Sequence, residues 1–182
     1  MSKLMYIIEH SIMNENIENR THSLSSNAKV DYLISVLNRC GYSVSIVSPS
    51  TTLDNVGYRS RKDDLDNGNE IISGPTPSKK WKIVGQLISK SWLSSFLLKN
   101  SSKDSVVIVY HGKIKIPFIL FARFFKRFKI LLEVEEVYSD LYKKDKKVSL
   151  TRIFEKIMIN NASAYIFASA ELENKYNSNN KP

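Results

Sequence analysis

Two apolar runs, Val106-Val107-Ile108-Val109-Tyr110 and Lys129-Ile130-Leu131-Leu132, each stop abruptly in polar, ionisable residues. The first runs into His111-Gly112, the second into Glu133-Val134-Glu135-Glu136-Val137-Tyr138. Between them Pro117 opens a helix-like segment, a position proline favours because its missing N–H has no helical partner anyway. Strand, crossover helix and strand form a parallel unit, and open α/β sheets bind ligands beyond the carboxyl ends of their strands. The polar residues fall at those ends, so one pattern predicts a sheet and the position of its site.

The rest of the chain alternates in the same way. Leu4 to Ile8 reads as a first strand ending at Glu9-His10. Asn27 to Arg39 is helical, with Val30, Leu33, Ile34 and Leu37 at i, i+3, i+4, i+7 and Gly41 as the stop. Val44 to Val47 is a second strand closed by Ser48-Pro49, and a short strand is expected near Glu70 to Ser73. Val84, Leu87, Ile88, Trp92 and Ser95 mark a helix to about Lys99. After the strand at Val106, a helix is expected to carry Leu120, Phe121, Phe124, Phe125 and Phe128 on one face and Arg123, Lys126 and Arg127 on the other. Leu150, Ile153, Phe154, Ile157 and Met158 mark the next helix, Ala164 to Ala168 a last strand, and Ala170 to Tyr176 a short helix. Strands alternating with helices predict an α/β fold with a doubly wound, mostly parallel sheet.

A chain of 182 residues is expected to form one domain. Its single cysteine, Cys40, is read as core packing on an apolar helix face, and no Cys/His cluster has zinc spacing. The opening residues hold too short an apolar run for a signal peptide, and no segment offers the ~18 uncharged apolar residues of a membrane span. A reducing, cytoplasmic compartment is expected. The abundance of Lys, Asn and Ile fits an AT-rich bacterial coding sequence. The net charge of +9 favours anionic partners: nucleic acid, phosphorylated substrates or an acidic membrane surface. Basic residues gather at Lys79 to Lys82, Arg123 to Lys129 and Lys143 to Lys147, and each cluster alone is most simply a solvated face.

With the common strand order 3-2-1-4-5-6, His10, His111 and the Glu133 to Glu136 group would share one crevice rim. Three carboxylates at a strand end are expected to face a cleft, because burial without a partner is costly. Period two puts Glu133 and Glu135 on one side and Glu136 on the other. An ordinary polar strand exit is the competing reading. No G-x-G-x-x-G, P-loop or G-x-S-x-G elbow is present. The three histidines have no neighbouring second ligand, so no metal is expected.

Tyr110-His111-Gly112 followed by Leu132-Glu133-Val134-Glu135-Glu136-Val137-Tyr138 resembles the N-terminal half of bacterial family-4-type glycosyltransferases, which have the GT-B fold. Asn27-Ala28-Lys29-Val30 leading to Gly41-Tyr42-Ser43-Val44-Ser45-Ile46-Val47-Ser48 is similar to that family's first helix and second strand. Ala164 to Ser169, continuing through Leu172, resembles the last strand of the same lobe. The likeness implies a single Rossmann-like N-terminal lobe over residues 1–182. It further implies retaining, metal-independent transfer of a sugar from a nucleotide-sugar donor to a hydroxyl on a glycan or lipid-linked acceptor. No cofactor is implied beyond the donor substrate. By the same likeness, acceptor contacts fall on Asn14, Arg20, Asn27, Lys29, His111, Glu135, Glu136 and Tyr138. Glu136 and Tyr138 would bond sugar hydroxyls, and Arg20 would meet a phosphate. No catalytic base is assigned.

Two departures follow. Glu9 to Asn27 contains no glycine, whereas many relatives approach the donor diphosphate through a glycine-rich loop there. The donor-side E-x7-E pattern, which belongs to a second lobe, is absent, so the donor-binding domain is expected to be missing and the chain alone inactive. Three readings stay open: the acceptor half of a split enzyme with a separate donor-binding chain, a truncated enzyme, or a non-catalytic Rossmann-like module for an anionic ligand or membrane surface. Nucleic acid is not expected as a partner, since no recognised binding motif is present. The segment Ile116 to Lys129 could touch anionic lipid at the inner face of the membrane. The favoured expectation is instead that its phenylalanines pack on the sheet.

Overall fold

A computed structural model describes residues 2–9, 18, 20, 24–52, 54–110, 115–135, 149–177 and 181–182. The chain packs as two compact units, Met1–Phe96 and Leu97–Pro182.

In the first unit, β1 (Ser2–Ile7), α1 (Leu24–Arg39), β2 (Tyr42–Ser48), β3 (Arg61–Asp64), β4 (Glu70–Ser73) and most of α2 (Lys82–Asn100) follow in order. The strands lie β3-β4-β2-β1. β1 pairs β2 in parallel from Ser2↔Tyr42 to Ile7↔Val47, and β2 pairs β4 in parallel. Only β3 runs antiparallel to its neighbour, through Asp64↔Glu70. In the second unit, β5 (Val106–Tyr110), α3 (Ile116–Lys126), β6 (Lys129–Val134), α4 (Ser149–Asn161), β7 (Ala164–Phe167) and α5 (Ala170–Tyr176) give a parallel β5-β6-β7 ladder. The fold is α/β and Rossmann-like, and within each unit the order is the expected one, 3-2-1 and 4-5-6, with β3 added at an edge.

Parallel strands are covered on both faces, and the sequence obeys this. Every residue of β2 after Tyr42 is buried, as are Tyr6, Ile7, Ile71 and Leu93 in the first unit and Val107 to Val109, Ile130, Leu132 and Val134 in the second. Two polar side chains admitted to this interior are tightly paired. Asn69 Oδ1 accepts the Val44 amide at 2.8 Å. The Glu70 carboxylate on β4 takes Ser45 Oγ of β2 at 2.7 Å, Lys3 Nζ of β1 at 2.7 Å and Lys62 Nζ of β3 at 2.9 Å. One carboxylate therefore ties all four strands of its unit.

Three helices turn a different face to the interior than their apolar stripes imply. α2 buries Gly85, Ser89, Lys90, Leu93, Ser94 and Leu97, leaving Val84, Leu87 and Ile88 exposed. α3 buries Ile116, Ile119 and Ala122, so the expectation that Phe121, Phe124 and Phe125 pack on the sheet is overturned. Phe128 is buried, but beyond the helix. Ile116, Ile119 and Ala122 carry less bulk than the phenylalanines and let the helix lie closer to its neighbours. α4 buries Glu155, Met158 and Ile159, leaving Ile153 and Ile157 exposed. Cys40 is also a correction. It is exposed, because α1 ends at Arg39 and Gly41 takes a left-handed φ of 83° that carries the chain into β2.

α3 ends on Arg127 at φ 57°, with its amide on Arg123 O at 2.7 Å. A left-handed cap usually falls to glycine, and a side chain there costs about 1 kcal/mol. At the outer edge of β7, the Tyr165 amide donates to Pro182 O at 2.9 Å, and Lys181 Nζ donates to Asn160 O and Ala162 O at 2.9 and 2.8 Å.

Burial by itself would raise the Glu70 pKa, but the hydrogen bonds from Lys3, Lys62 and Ser45 outweigh it and hold the group at about 2, against an ordinary 4.5. A depressed folded pKa adds stability above the unfolded value that is lost as pH falls between those two limits. Glu70→Gln is expected to cost about 1–2 kcal/mol at pH 7, a figure reduced because both lysines are half-exposed. It should also flatten the loss of stability between pH 4.5 and 2, read by urea unfolding at a series of pH values.

Candidate functional site

The carboxyl ends of β1, β2 and β4 come together as one rim of the first unit. Glu9 follows β1, Pro49-Ser50 follow β2 and Gly74 follows β4, with the Gly74 amide on Ser48 O at 2.9 Å. Two cations anchor this rim. Lys90, buried on α2, donates Nζ to Pro49 O at 2.7 Å and lies 3.3 Å from Glu9 Oε1. Arg20 is also buried. Its Nε meets Glu18 Oε2 at 2.5 Å, Nη1 donates to Gly74 O at 2.5 Å and Nη2 to Arg59 O at 2.8 Å. Its guanidinium also stands 5.7 Å from the centre of the Tyr58 ring, within cation–π range. Ser50 Oγ and Thr76 Oγ1 are buried here without a hydrogen-bond partner among the described residues.

The second unit has its own rim. Tyr110 ends β5, and its hydroxyl donates to Glu135 Oε2 just past β6. Lys115, buried at the start of α3, holds Nζ 5.3 Å from the centre of the Tyr110 ring. Glu133 pairs with Tyr110 in the β5–β6 register and is buried inside β6. That corrects the expectation that the strand stops at Leu132 and that Glu133 faces a cleft: β6 runs on to Val134. A concavity of about 360 Å³ lies past β7, lined by Tyr165, Phe167, Ser169, Glu173 and Lys181 among others. Burial pushes the Tyr165 phenol up, and its hydroxyl donates to Ile159 O at 2.6 Å.

Among the expected site residues, Arg20, Asn27, Lys29 and Glu135 are described. Asn14, His111, Glu136 and Tyr138, together with His10, lie outside the described residues. Asn27 is buried and Lys29 half-buried, both on α1, on the same unit as Arg20. Three residues that the sequence did not single out also sit at the rims: Lys90, Lys115 and Tyr110. Lys90 had a legible signal, since Ser89, Lys90, Leu93 and Leu97 repeat at helical spacing and put a lysine on the buried face. Among the described residues no group of three or more His, Cys, Asp or Glu side chains could hold a metal ion, and no helix is long and apolar enough to cross a membrane.

No protein-family model matches the chain, and no curated protein matches it either. Solved structures do. The trehalose-phosphate synthase (UDP-forming) of Burkholderia xenovorans, in complex with glucose-6-phosphate, matches with a TM-score of 0.52 at 8% identity, over 93% of this chain and 40% of that one. The two share an α/β, Rossmann-like fold. A trehalose 6-phosphate synthase of Burkholderia multivorans aligns at a TM-score of 0.49 and 11% identity, over 91% of this chain and 38% of its own, and nothing rests on that alignment. The chain spans about two fifths of the synthases it matches. At 8% identity the likeness carries the fold and leaves the substrate to the side chains.

Substitutions at two positions test the first rim. Arg20→Ala removes three hydrogen bonds, one of them to the buried Gly74 O, and is expected to cost about 2–4 kcal/mol in denaturant unfolding. Arg20→Lys should recover less than half, because an ammonium cannot reproduce the planar fork. Gly74→Ala would place a Cβ 2.6 Å from the Trp92 ring; overpacking of that kind costs about 1–3 kcal/mol and should appear as a lowered Tm.

Proposed function

We propose that this chain is the acceptor-side lobe of a family-4-type glycosyltransferase. It would hold a glycan or lipid-linked acceptor while a nucleotide-sugar is presented by a donor-binding lobe, supplied by a separate chain or by sequence beyond these 182 residues. In the transfer, the bond from the anomeric carbon to the nucleotide diphosphate breaks, a bond to the acceptor oxygen forms, and the hydroxyl proton leaves with the diphosphate. The reaction is read as retaining and metal-independent, and the lobe alone as inactive.

The observation that carries this reading is the Tyr110–Glu135 hydrogen bond at the carboxyl ends of two parallel strands. It falls where the ligand site of an open α/β sheet is expected, inside the segment that resembles the family's glutamate motif. A carboxylate already oriented by a phenol is prepared to accept a sugar hydroxyl, and Lys115 beside the Tyr110 ring adds a cation for an acceptor phosphate. Asn14, Asn27, Lys29, His111, Glu136 and Tyr138 complete the proposed acceptor contacts. Arg20 is assigned a positioning part, since its guanidinium spans Glu18, Arg59 and Gly74. The compartment proposed is the cytoplasm.

Glucose-6-phosphate, the ligand of the Burkholderia xenovorans synthase, serves as a probe. Titrated into isotope-labelled chain, it is expected to bind saturably and to shift resonances of Tyr110 and Glu135. Glu135→Gln and Tyr110→Phe should each weaken it about tenfold, the worth of one hydrogen bond to a charged group. The proposal fails if UDP-glucose binds and no sugar phosphate or free glycan does, because the lobe would then be donor-side.

A further inference from the structure

We infer that the outer face of α3 and α4 is a docking surface for an anionic lipid bilayer. Phe121, Phe124 and Phe125 are 54%, 78% and 60% exposed, values that forfeit more than half of the benefit a phenylalanine gains from burial. They form a single cluster, with ring centres 5.1 Å apart for Phe121–Phe125 and 5.2 Å for Phe124–Phe125, both edge-to-face. At 100° per residue they point away from Ile116, Ile119 and Ala122, which face the interior.

α4 extends the patch. The crossovers β5-α3-β6 and β6-α4-β7 advance in the same direction, so right-handed connections place both helices on one face of their ladder. The helices touch, and Arg123 Nη1 of α3 donates to Asn161 O at the end of α4. The outer side of α4 carries Ile153 and Ile157, 51% and 38% exposed, while Met158 of the same helix is buried. Five large apolar side chains thus stand in water on neighbouring helices, an arrangement that marks an interaction site on a folded surface.

Charge selects the partner. Lys126, Arg127, Lys129 and Lys156 sit on or beside these two helices, and none has a side-chain carboxylate partner among the described residues. α3 contains no acidic residue, and the one carboxylate of α4, Glu155, is buried. Arg127 moreover occupies a left-handed cap that glycine would fill with less strain, and its side chain makes no hydrogen bond or ion pair among the described residues. An apolar cluster bordered by unpaired cations and free of exposed carboxylates is complementary to a surface that is apolar within and negative outside. A bilayer containing anionic headgroups has that profile. A protein partner would be expected to answer the cations with a matching patch of carboxylates, and a second copy of this face would bring like charges together.

Co-sedimentation of the full chain with vesicles of phosphatidylcholine plus phosphatidylglycerol tests the inference. Binding is expected to anionic vesicles, to fall tenfold or more on pure phosphatidylcholine, and to weaken as salt shortens the screening length. Phe124→Ser with Phe125→Ser, and separately Lys126→Glu, Arg127→Glu with Lys129→Glu, should each reduce binding tenfold or more while leaving the far-UV circular dichroism unchanged. All these side chains are exposed or half-exposed, so the variants are expected to fold. Binding of either variant equal to that of the unchanged chain overturns the inference, as does no binding to anionic vesicles. A lipid-free dimer in sedimentation velocity that the Phe124→Ser, Phe125→Ser variant dissolves also overturns it, since the face would then be covered by a second copy.

Discussion

A single carboxylate organises the first half of this molecule. Glu70 stands on the second strand of its ladder and binds Ser45 on one neighbour, Lys62 on the other and Lys3 two strands away. A glutamate in a parallel strand is affordable only when its lone pairs are filled, and here they are filled from every strand of the unit. The interaction fixes register as well as energy: a slip of one residue in any of these strands would turn a partner to the opposite face. The rim holding Glu9, Lys90 and Arg20 depends on that register, because each residue is reached from the end of a strand whose depth the network sets.

Much of the architecture was legible because periodicity reports how a segment meets water. The strands at Glu70–Ser73 and Val106–Tyr110 and the short helix Ala170–Tyr176 coincide with expectation, and the other expected strands and helices differ by a few residues at their ends. β3 was not legible. Arg-Lys-Asp-Asp has no alternation and no β-branched residue, and it is a strand because β4 offers a free edge and its charges pair along it, as Arg61 does with Asp63 at 2.6 Å.

The faces of the helices were legible only in part. An apolar stripe states that a helix has an oily side; it does not state what covers it. α3 leaves three phenylalanines outside and α4 leaves Ile153 and Ile157 outside, so rules written for a helix covered on one face only assign these side chains the wrong side. The site divides similarly. Glu135 was proposed through the resemblance, and its partner Tyr110 lay in the quoted motif without being chosen. Lys115 was missed because basic residues are ordinarily solvated and only three-dimensional packing shows it to be buried, whereas Lys90 was overlooked although its spacing puts it on the buried face of α2.

The outer strands carry one more consequence. An unpaired strand edge is an open template on which another chain can grow a sheet. β3 presents four charged side chains at its edge, and β7 has its Tyr165 amide already taken by Pro182, with Lys181 latched to the end of α4 and the residue after it. Both ladders are therefore closed to strand addition by charge or by occupancy. Among the described residues most of the exposed large apolar side chains lie on helices, where side chains meet a partner without passing on a hydrogen-bonding pattern, so contact there has no built-in route to fibrous growth.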